Sequence, residues 1–478
     1  MCRLAAHRRL SGGGAAPTGS VLPKLAHDAS AWPALLPSHS ATVDLGAVEA
    51  DLRAKGVKYV MPSFVDMHGV PKAKMVPLDH LEHACRGSEL FTGAAVDGVP
   101  QAVSDDEVCA VADPAVLIAQ LPYRREVAYT PASLWYHGAP FEACSRNVYA
   151  RAAAEAKALG FTFKVGIEAE FFVLRDSPAD GPGTMLAQRP VTPLHDLDKS
   201  CYDATRLLDN MHWLDELVSS MQELGWGVYS FDHEDAAGQF EVDFDFCEAG
   251  LMADRFNLLR TLACAVARRH GHYATWMPKP MQARTGSGAH LNCSLHDAAT
   301  GRNLFKLDPA QPASADAAPL SPLGMHFLAG VMRHLPAIVA VACPTVNSYK
   351  RMVWTPQGPG ADTAGFSWAP VVASYGSNNR TNAVRLPAPG RFEIRASDSA
   401  LNPHLASALV LAAGLEGVRD KLDPGPSRGF DNLYADVAAS AAGGAGPGPG
   451  VELLPRTLGE ATEAFASDPL ARTVFGEA

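Results

Sequence analysis

Four short segments of this 478-residue chain alternate with period two, and in each the polar face carries ligand-type side chains instead of ordinary surface residues. In 163–174, Lys164, Gly166, Glu168 and Glu170 share one side, opposite Val165, Ile167, Ala169, Phe171 and Val173. In 239–246, Glu241, Asp243 and Asp245 oppose Phe240, Val242, Phe244 and Phe246. His290, Asn292 and Ser294 oppose Leu291, Cys293 and Leu295, and Arg391, Glu393 and Arg395 oppose Phe392 and Ile394. Taken singly, each segment also reads as an antiparallel strand with one side in water. A solvated face mixes Lys, Thr, Ser and Gln, however, whereas these four concentrate Glu, His and Arg beside glycine-rich turns. Carboxylates with one imidazole suit a hard dication, Mg²⁺ or Mn²⁺, better than a thiolate-seeking metal. Planar guanidinium groups bind carboxylates and phosphates bidentately and stabilise a transferring phosphoryl group. The expected chemistry is nucleotide-dependent phosphoryl transfer inside a polar barrel that holds divalent metals. With no G-x-x-x-x-G-K-[ST] and no strand-linked G-x-G-x-x-G, P-loop and Rossmann architectures are poorly supported.

The length allows about three domains, or two where one is a large α/β unit. Residues 41–140 read as a small β-rich domain, in which Val57–Ser63 turns at His68-Gly69-Val70-Pro71 and Ala73–Val76 pairs back as a hairpin. Ser145 is expected to cap a helix that ends at Gly160, and in 141–478 strands then alternate with long helices. Leu207, Leu208, Met211, Leu214, Leu217, Val218 and Met221 fall on one helical face, and Leu251–His270, Met325–Cys343 and His404–Leu422 read as further helices. Pro309–Pro319 and Ala438–Gly450 are low-complexity and expected to be surface loops. Residues 1–40, basic and rich in Gly, Ala and Ser, read as a disordered or a targeting extension. The balance 40 − 51 = −11 disfavours nucleic acid or an anionic membrane as the main partner. Nine scattered cysteines without a C-x-x-C pair indicate a reducing, cytoplasmic setting, with organellar targeting left open by the extension.

In chain order the motifs are Gly166-Ile-Glu-Ala-Glu170, His233-Glu-Asp-Ala-Ala-Gly-Gln-Phe-Glu241, Met277-Pro-Lys-Pro280, Gly286-Ser-Gly-Ala-His290, Asn347-Ser-Tyr-Lys-Arg351, Asn379-Arg-Thr-Asn-Ala-Val-Arg385 and Arg391-Phe-Glu-Ile-Arg395. Together they resemble the glutamine synthetase family, most closely its type III branch, which includes the γ-glutamylmethylamide synthetases. The resemblance implies an α+β fold: an N-terminal β-grasp domain, then a catalytic domain with an open antiparallel β-barrel and surrounding helices. It implies an ATP-dependent ligase joining ammonia or a small alkylamine to the γ-carboxylate of glutamate through γ-glutamyl phosphate. Two Mg²⁺ or Mn²⁺ ions per site are implied, one among Glu170, Glu234 and Glu241 and one among Glu168, His290 and Glu393. Arg351 would take the α-carboxylate of glutamate and Arg395 its γ-carboxylate, with Arg380 and Arg385 on the transferring phosphate. Gly286 and Glu170 would face the substrate amino group, and Ser294 the nucleotide. A homo-oligomer is implied, a hexameric ring or stacked dodecamer with sites between subunits.

Departures from the family pattern bear on the acceptor. Phe91-Thr-Gly-Ala-Ala95 stands where ammonia-using members of the main bacterial branch carry Phe-Asp-Gly-Ser-Ser, and Trp368 stands where a flap glutamate is expected. Thr285 replaces an asparagine of the glutamate-binding loop. Asp97 or Asp362 are candidate substitutes for the missing acids, and Asn432-Leu-Tyr434 resembles an adenylylation segment although packing suits Tyr434 better. Competing readings are a ligase for a larger amine or polyamine, a guanidino-kinase-like phosphotransferase and a catalytically inactive structural relative.

Overall fold

The computed structural model describes residues 43–176, 188–191, 200–281, 284–307, 320–352, 368–442 and 452–476. The 1–40 extension, the Pro309–Pro319 loop and Asp362 lie outside the described residues.

The N-terminal hairpin forms because Asp66 closes its own turn. Its Oδ1 accepts from the backbone N–H groups of His68 and Val70, both at 2.9 Å, while Gly69 takes a φ of 71°. Tyr59–Val65 therefore turns back to pair with Pro71–Ala73 and Val76–Pro77. The 13-residue strand Arg124–Tyr136 runs parallel to Tyr59–Val65 and antiparallel to Val108–Ala112, completing an eight-stranded sheet. Helices Leu45–Ala54 and Leu81–Cys85 seal one face through Leu52, Leu81, Ala84 and Cys85 against Val57, Val60 and Ala128.

The last strand of this sheet ends at Pro140, and helix Ser145–Ala158 opens the remainder. Ser145 does not cap that helix. Cys144 occupies the cap, and the Ser145 hydroxyl donates to the Asp66 carbonyl at 3.4 Å and accepts from Asn402 at 2.9 Å. The remaining strands fall mainly in two sheets that part at Glu168. Phe161–Ile167 lies in a six-stranded sheet beside Leu291–Asp297, whereas Ala169–Asp176 lies in a five-stranded sheet between Gln239–Phe244 and His272–Thr275. The 163–174 segment is thus two strands, not one, with the break at a proposed ligand.

Helix Ala249–Arg269 and helix Pro403–Asp420 bury their apolar faces against these sheets and each other. The expected Met325–Cys343 helix is two, Pro322–Arg333 and Leu335–Ala342, bent by 72°. Pro336 explains the break, since it lacks an N–H and its ring clashes with the carbonyl four residues back. The 207–221 face is likewise divided between Ala204–Asp209 and Met211–Glu223; Leu214, Leu217 and Met221 are buried with Trp213, but Leu208 is exposed. Of the surface loop expected over Ala438–Gly450, residues 438–442 belong instead to helix Leu433–Ala442, and 443–450 lie outside the described residues. Among the described residues no single helix is long and apolar enough to cross a membrane.

Candidate active site

The parting of the two sheets brings two groups of ligand-type side chains to one cavity. On the five-stranded sheet, antiparallel register sets Glu170 directly opposite Glu241, and Glu241 opposite Asp232. Like charges facing across strands oppose folding unless something neutralises them. Glu234 joins them from the turn after strand Val228–His233, which is closed by its N–H to the Gln239 carbonyl at 2.9 Å. Oxygens of Glu170, Glu234 and Glu241 all lie within 4.8 Å of one another. Burial, reinforced by Glu234, pushes the Glu170 carboxyl up to about 8, and burial with Glu170 holds Glu241 well above the usual carboxylate range. Glu170 Oε2 is fixed by Gln239 Nε2 at 3.0 Å and the Gly288 N–H at 2.8 Å.

The second group, Glu168, His290 and Glu393, meets the same 4.8 Å limit. His290 Nδ1 faces the carboxylates, at 2.8 Å from Glu168, 3.7 Å from Glu393 and 3.9 Å from Glu170, so Nδ1 is the nitrogen placed to ligate. Although buried, Glu168 is held low, at about 2, by the bonds from His290 and from Asn292 Nδ2 at 2.9 Å. A Cβ on Gly288 would stand 2.7 Å from His290 Nε2 and 2.8 Å from Glu170 Oε1, so a side chain there would push ligand-type groups of both clusters aside.

Arginines supply the opposite charge. Arg395 and Arg385 clamp the two oxygens of Glu393, which is fully buried beneath them and does not itself line the cavity. Arg351 ends the short helix Val346–Arg351, which is held by a Thr345–Ser348 capping box. Its side chain is buried, with Nη2 on the Arg395 carbonyl at 3.3 Å, while Nε and Nη1 of Arg351 and Nε of Arg395 have no hydrogen-bond partner. A buried guanidinium with unmet donors is a place for an anion. Arg380 is exposed at the rim. Gly286 is pinned by close approach, its would-be Cβ lying 2.3 Å from the Pro278 carbonyl, and its own carbonyl accepts from Gln239. Asn347 and the backbone of Lys279 exchange two bonds, at 2.6 and 3.0 Å, and so tie two of the motifs together.

The cavity, about 530 Å³, is lined by Glu168, Glu170, Glu234, Glu241, His290, Gly286, Arg351, Arg380, Arg385 and Arg395 of the expected residues. Besides Glu393, which lies beneath the arginines, Ser294 is the exception. It lines an adjoining cavity of about 470 Å³ with Gly166, Asn292, Lys306 and Arg391, and Glu168 and Arg391 border both. Sequence reasoning also missed Asp235, Gln239 and Tyr202, although the first two lie inside the quoted His233–Glu241 motif. Neither Thr92 nor Asp97 lines the cavity, whereas Trp368 does. Tyr434 is buried and donates to the Ala369 carbonyl at 2.9 Å, a packing role.

The donor sets fit two hard dications: oxygen ligands with one imidazole, and a carboxylate cluster that only protons or cations can relieve. The pH dependence follows. An entering cation must displace the proton that Glu170 keeps below about 8, so proton competition fades as pH rises. Mn²⁺ affinity of the metal-free protein is expected to rise more than about tenfold from pH 6 to 8. Calorimetric titration at the two pH values checks this, and a flat affinity would mean that the cluster is already ionised.

Comparison with known proteins gives the same direction. Residues 142–478 match the family described as glutamine synthetase, catalytic domain. The chain is 38% identical over 386 residues to the glutamine synthetase of Rhizobium meliloti, covering 80% of this chain and 83% of that one. It is 36% identical over 426 residues to the glutamate–methylamine ligase of Methyloversatilis universalis, covering 89% and 90%. A solved structure of a GmaS–ADP complex superposes with a TM-score of 0.79 at 34% identity, covering 90% of this chain and 92% of that one. With its mixed helix-and-sheet fold and a family match over residues 142–478, this chain belongs to the glutamine synthetase family.

Proposed function

We propose that the protein is an ATP-dependent ligase that joins a small amine to the γ-carboxylate of L-glutamate through γ-glutamyl phosphate. The observation that carries this is one cavity walled by two carboxylate-rich clusters and by buried arginines with unmet donors. Arg351 and Arg395 would each take one carboxylate of glutamate. Glu170 and the Gly286 backbone would face its amino group. Arg380 and Arg385 would hold the transferring phosphate, with Ser294 and its adjoining cavity toward the rest of the nucleotide. Two Mg²⁺ or Mn²⁺ ions, held by Glu170, Glu234 and Glu241 and by Glu168, His290 and Glu393, would lower the repulsion between the carboxylate and the triphosphate. A carboxylate is a poor electrophile until one of its oxygens is phosphorylated, and that is the work the cavity is arranged for.

The test is hydroxylamine. With glutamate, ATP and Mg²⁺ it should yield γ-glutamylhydroxamate and stoichiometric ADP, because an acyl phosphate accepts any small strong nucleophile. ATP hydrolysis without glutamate and no hydroxamate would favour a kinase-like enzyme. An alkylamine is the second element of the reading, supported by the Trp368 indole at the cavity wall and by the methylamine-named relative. Methylamine is expected to be used at least as efficiently as ammonium, and a kcat/KM ratio above about ten in favour of ammonium, about 1.4 kcal/mol, would overturn this.

The same reading assigns residues 41–140 to a β-grasp domain, 141–478 to the catalytic domain with an open barrel, and the assembly to a hexamer or dodecamer with shared sites. Eight free cysteines among the described residues support a reducing, cytoplasmic location.

A further inference from the structure

Two of the residues that depart from the family pattern, Thr285 and Trp368, converge on one carboxylate. Asp235 Oδ2 accepts from Thr285 Oγ1 at 2.8 Å and from Trp368 Nε1 at 3.3 Å, which orients the group and leaves Oδ1 to accept from a ligand. Among the described residues, Asp235 is the one lining carboxylate outside both ligand clusters. The wall around it is held in costly conformations: Trp368 at φ 49° and Tyr202 at φ 64° are two of four non-glycine residues with positive φ among those described. Tyr202 is tied to the same turn through its N–H to the His233 carbonyl at 2.8 Å. The Trp368 carbonyl accepts from Arg395 Nη2 at 3.4 Å, so the indole wall and the arginine assigned above to the γ-carboxylate form one unit.

We propose that Asp235 is the acceptor-recognition residue: Oδ1 accepts an N–H of a small alkylammonium while the Trp368 ring covers its alkyl group. This rests on the ligase reading. An alkylamine is a cation at neutral pH, as a lysine side chain is, and among the described lining carboxylates Asp235 is the one left outside the two clusters assigned to metal. An aromatic face beside that carboxylate suits an alkylated cation better than bare ammonium. Thr285 acts as a positioning residue that fixes the carboxylate, whereas Trp368 both fixes it and contacts the alkyl group.

The experiment compares wild type with Asp235→Asn and Trp368→Ala at neutral pH, using methylamine, ammonium and hydroxylamine as acceptors. Asp235→Asn should raise KM for methylamine at least about tenfold, since it removes a charged hydrogen-bond acceptor. Hydroxylamine, largely uncharged at that pH, should lose far less, and KM for glutamate and ATP and the Mn²⁺ affinity should change less than about twofold. Trp368→Ala should lower the methylamine-to-ammonium ratio of kcat/KM by about fourfold, the worth of one buried methyl. Unchanged methylamine kinetics in Asp235→Asn would overturn the proposal. So would an equal loss for all three acceptors, or weakened Mn²⁺ binding, which would mark Asp235 as a support for Glu234. Failure of the wild type to form any hydroxamate would instead remove the ligase reading itself.

Discussion

Glu170→Gln is expected to lower kcat/KM for γ-glutamylhydroxamate formation by about a thousandfold or more, about 4 kcal/mol, while the protein remains folded. Glutamine is nearly isosteric and keeps an oxygen for the Gly288 N–H and Gln239 Nε2, so the local scaffold survives. What is lost is the charge that would hold a cation between Glu234 and Glu241. Stability should move the other way. The folded-state carboxyl of Glu170 sits at about 8, above the ordinary carboxylate range of the unfolded chain. A group raised in this way contributes to stability at low pH and loses that contribution as pH rises through about 8, so the metal-free wild type is weakened between about pH 4 and 8. Removing the charge relieves that repulsion, and the melting temperature of Glu170→Gln in chelator at pH 8 should equal or exceed that of wild type. Opposite signs for activity and stability mark a cluster kept for function. A variant retaining more than a tenth of wild-type turnover with Mg²⁺ saturating would remove Glu170 from the ligand set.

How such a site becomes legible in sequence depends on the kind of element that carries each residue. Five of the six clustered ligands, Glu168, Glu170, Glu241, His290 and Glu393, lie on period-two segments, where alternation announces a shared face. The pattern runs unbroken through 163–174, yet the chain changes sheets at Glu168, because alternation reports the side a residue faces and not the strand it pairs with. Glu234 sits in a turn, which has no period, and only the family resemblance points to it. Asp235 is less legible still. Its partners lie 50 and 133 residues away, and no local rule connects a Thr, a Trp and an Asp across such separations. The helix break at His334 was readable, since Pro336 stands in plain view within the 325–343 run, but apolar periodicity continued through it and concealed the bend.

Glu393→Ala is expected to abolish activity and also to destabilise the protein by about 3–5 kcal/mol, so the two ligand clusters differ in what their removal does to the fold. As a metal ligand alone, Glu393 would be dispensable for folding. Its burial changes that expectation. Glu393 has no exposed surface, and its two oxygens accept from Arg395 Nη1 and, at 2.6 Å, from Arg385 Nη1, with only 3% of the Arg395 side chain exposed. Deleting the carboxylate leaves a buried guanidinium without its counter-charge and next to Arg351, whose donors are also unmet. Glu393→Gln keeps one carbonyl oxygen for one arginine but turns an amide NH₂ toward the other, so its loss of stability should be smaller while its loss of activity stays as large. Denaturant midpoints for wild type, Glu393→Gln and Glu393→Ala, measured in chelator at equal protein concentration, separate the two roles. If Glu393→Ala unfolds at the wild-type midpoint, the arginines do not depend on this carboxylate, and their charge must be balanced by the Glu168 side of the cavity instead.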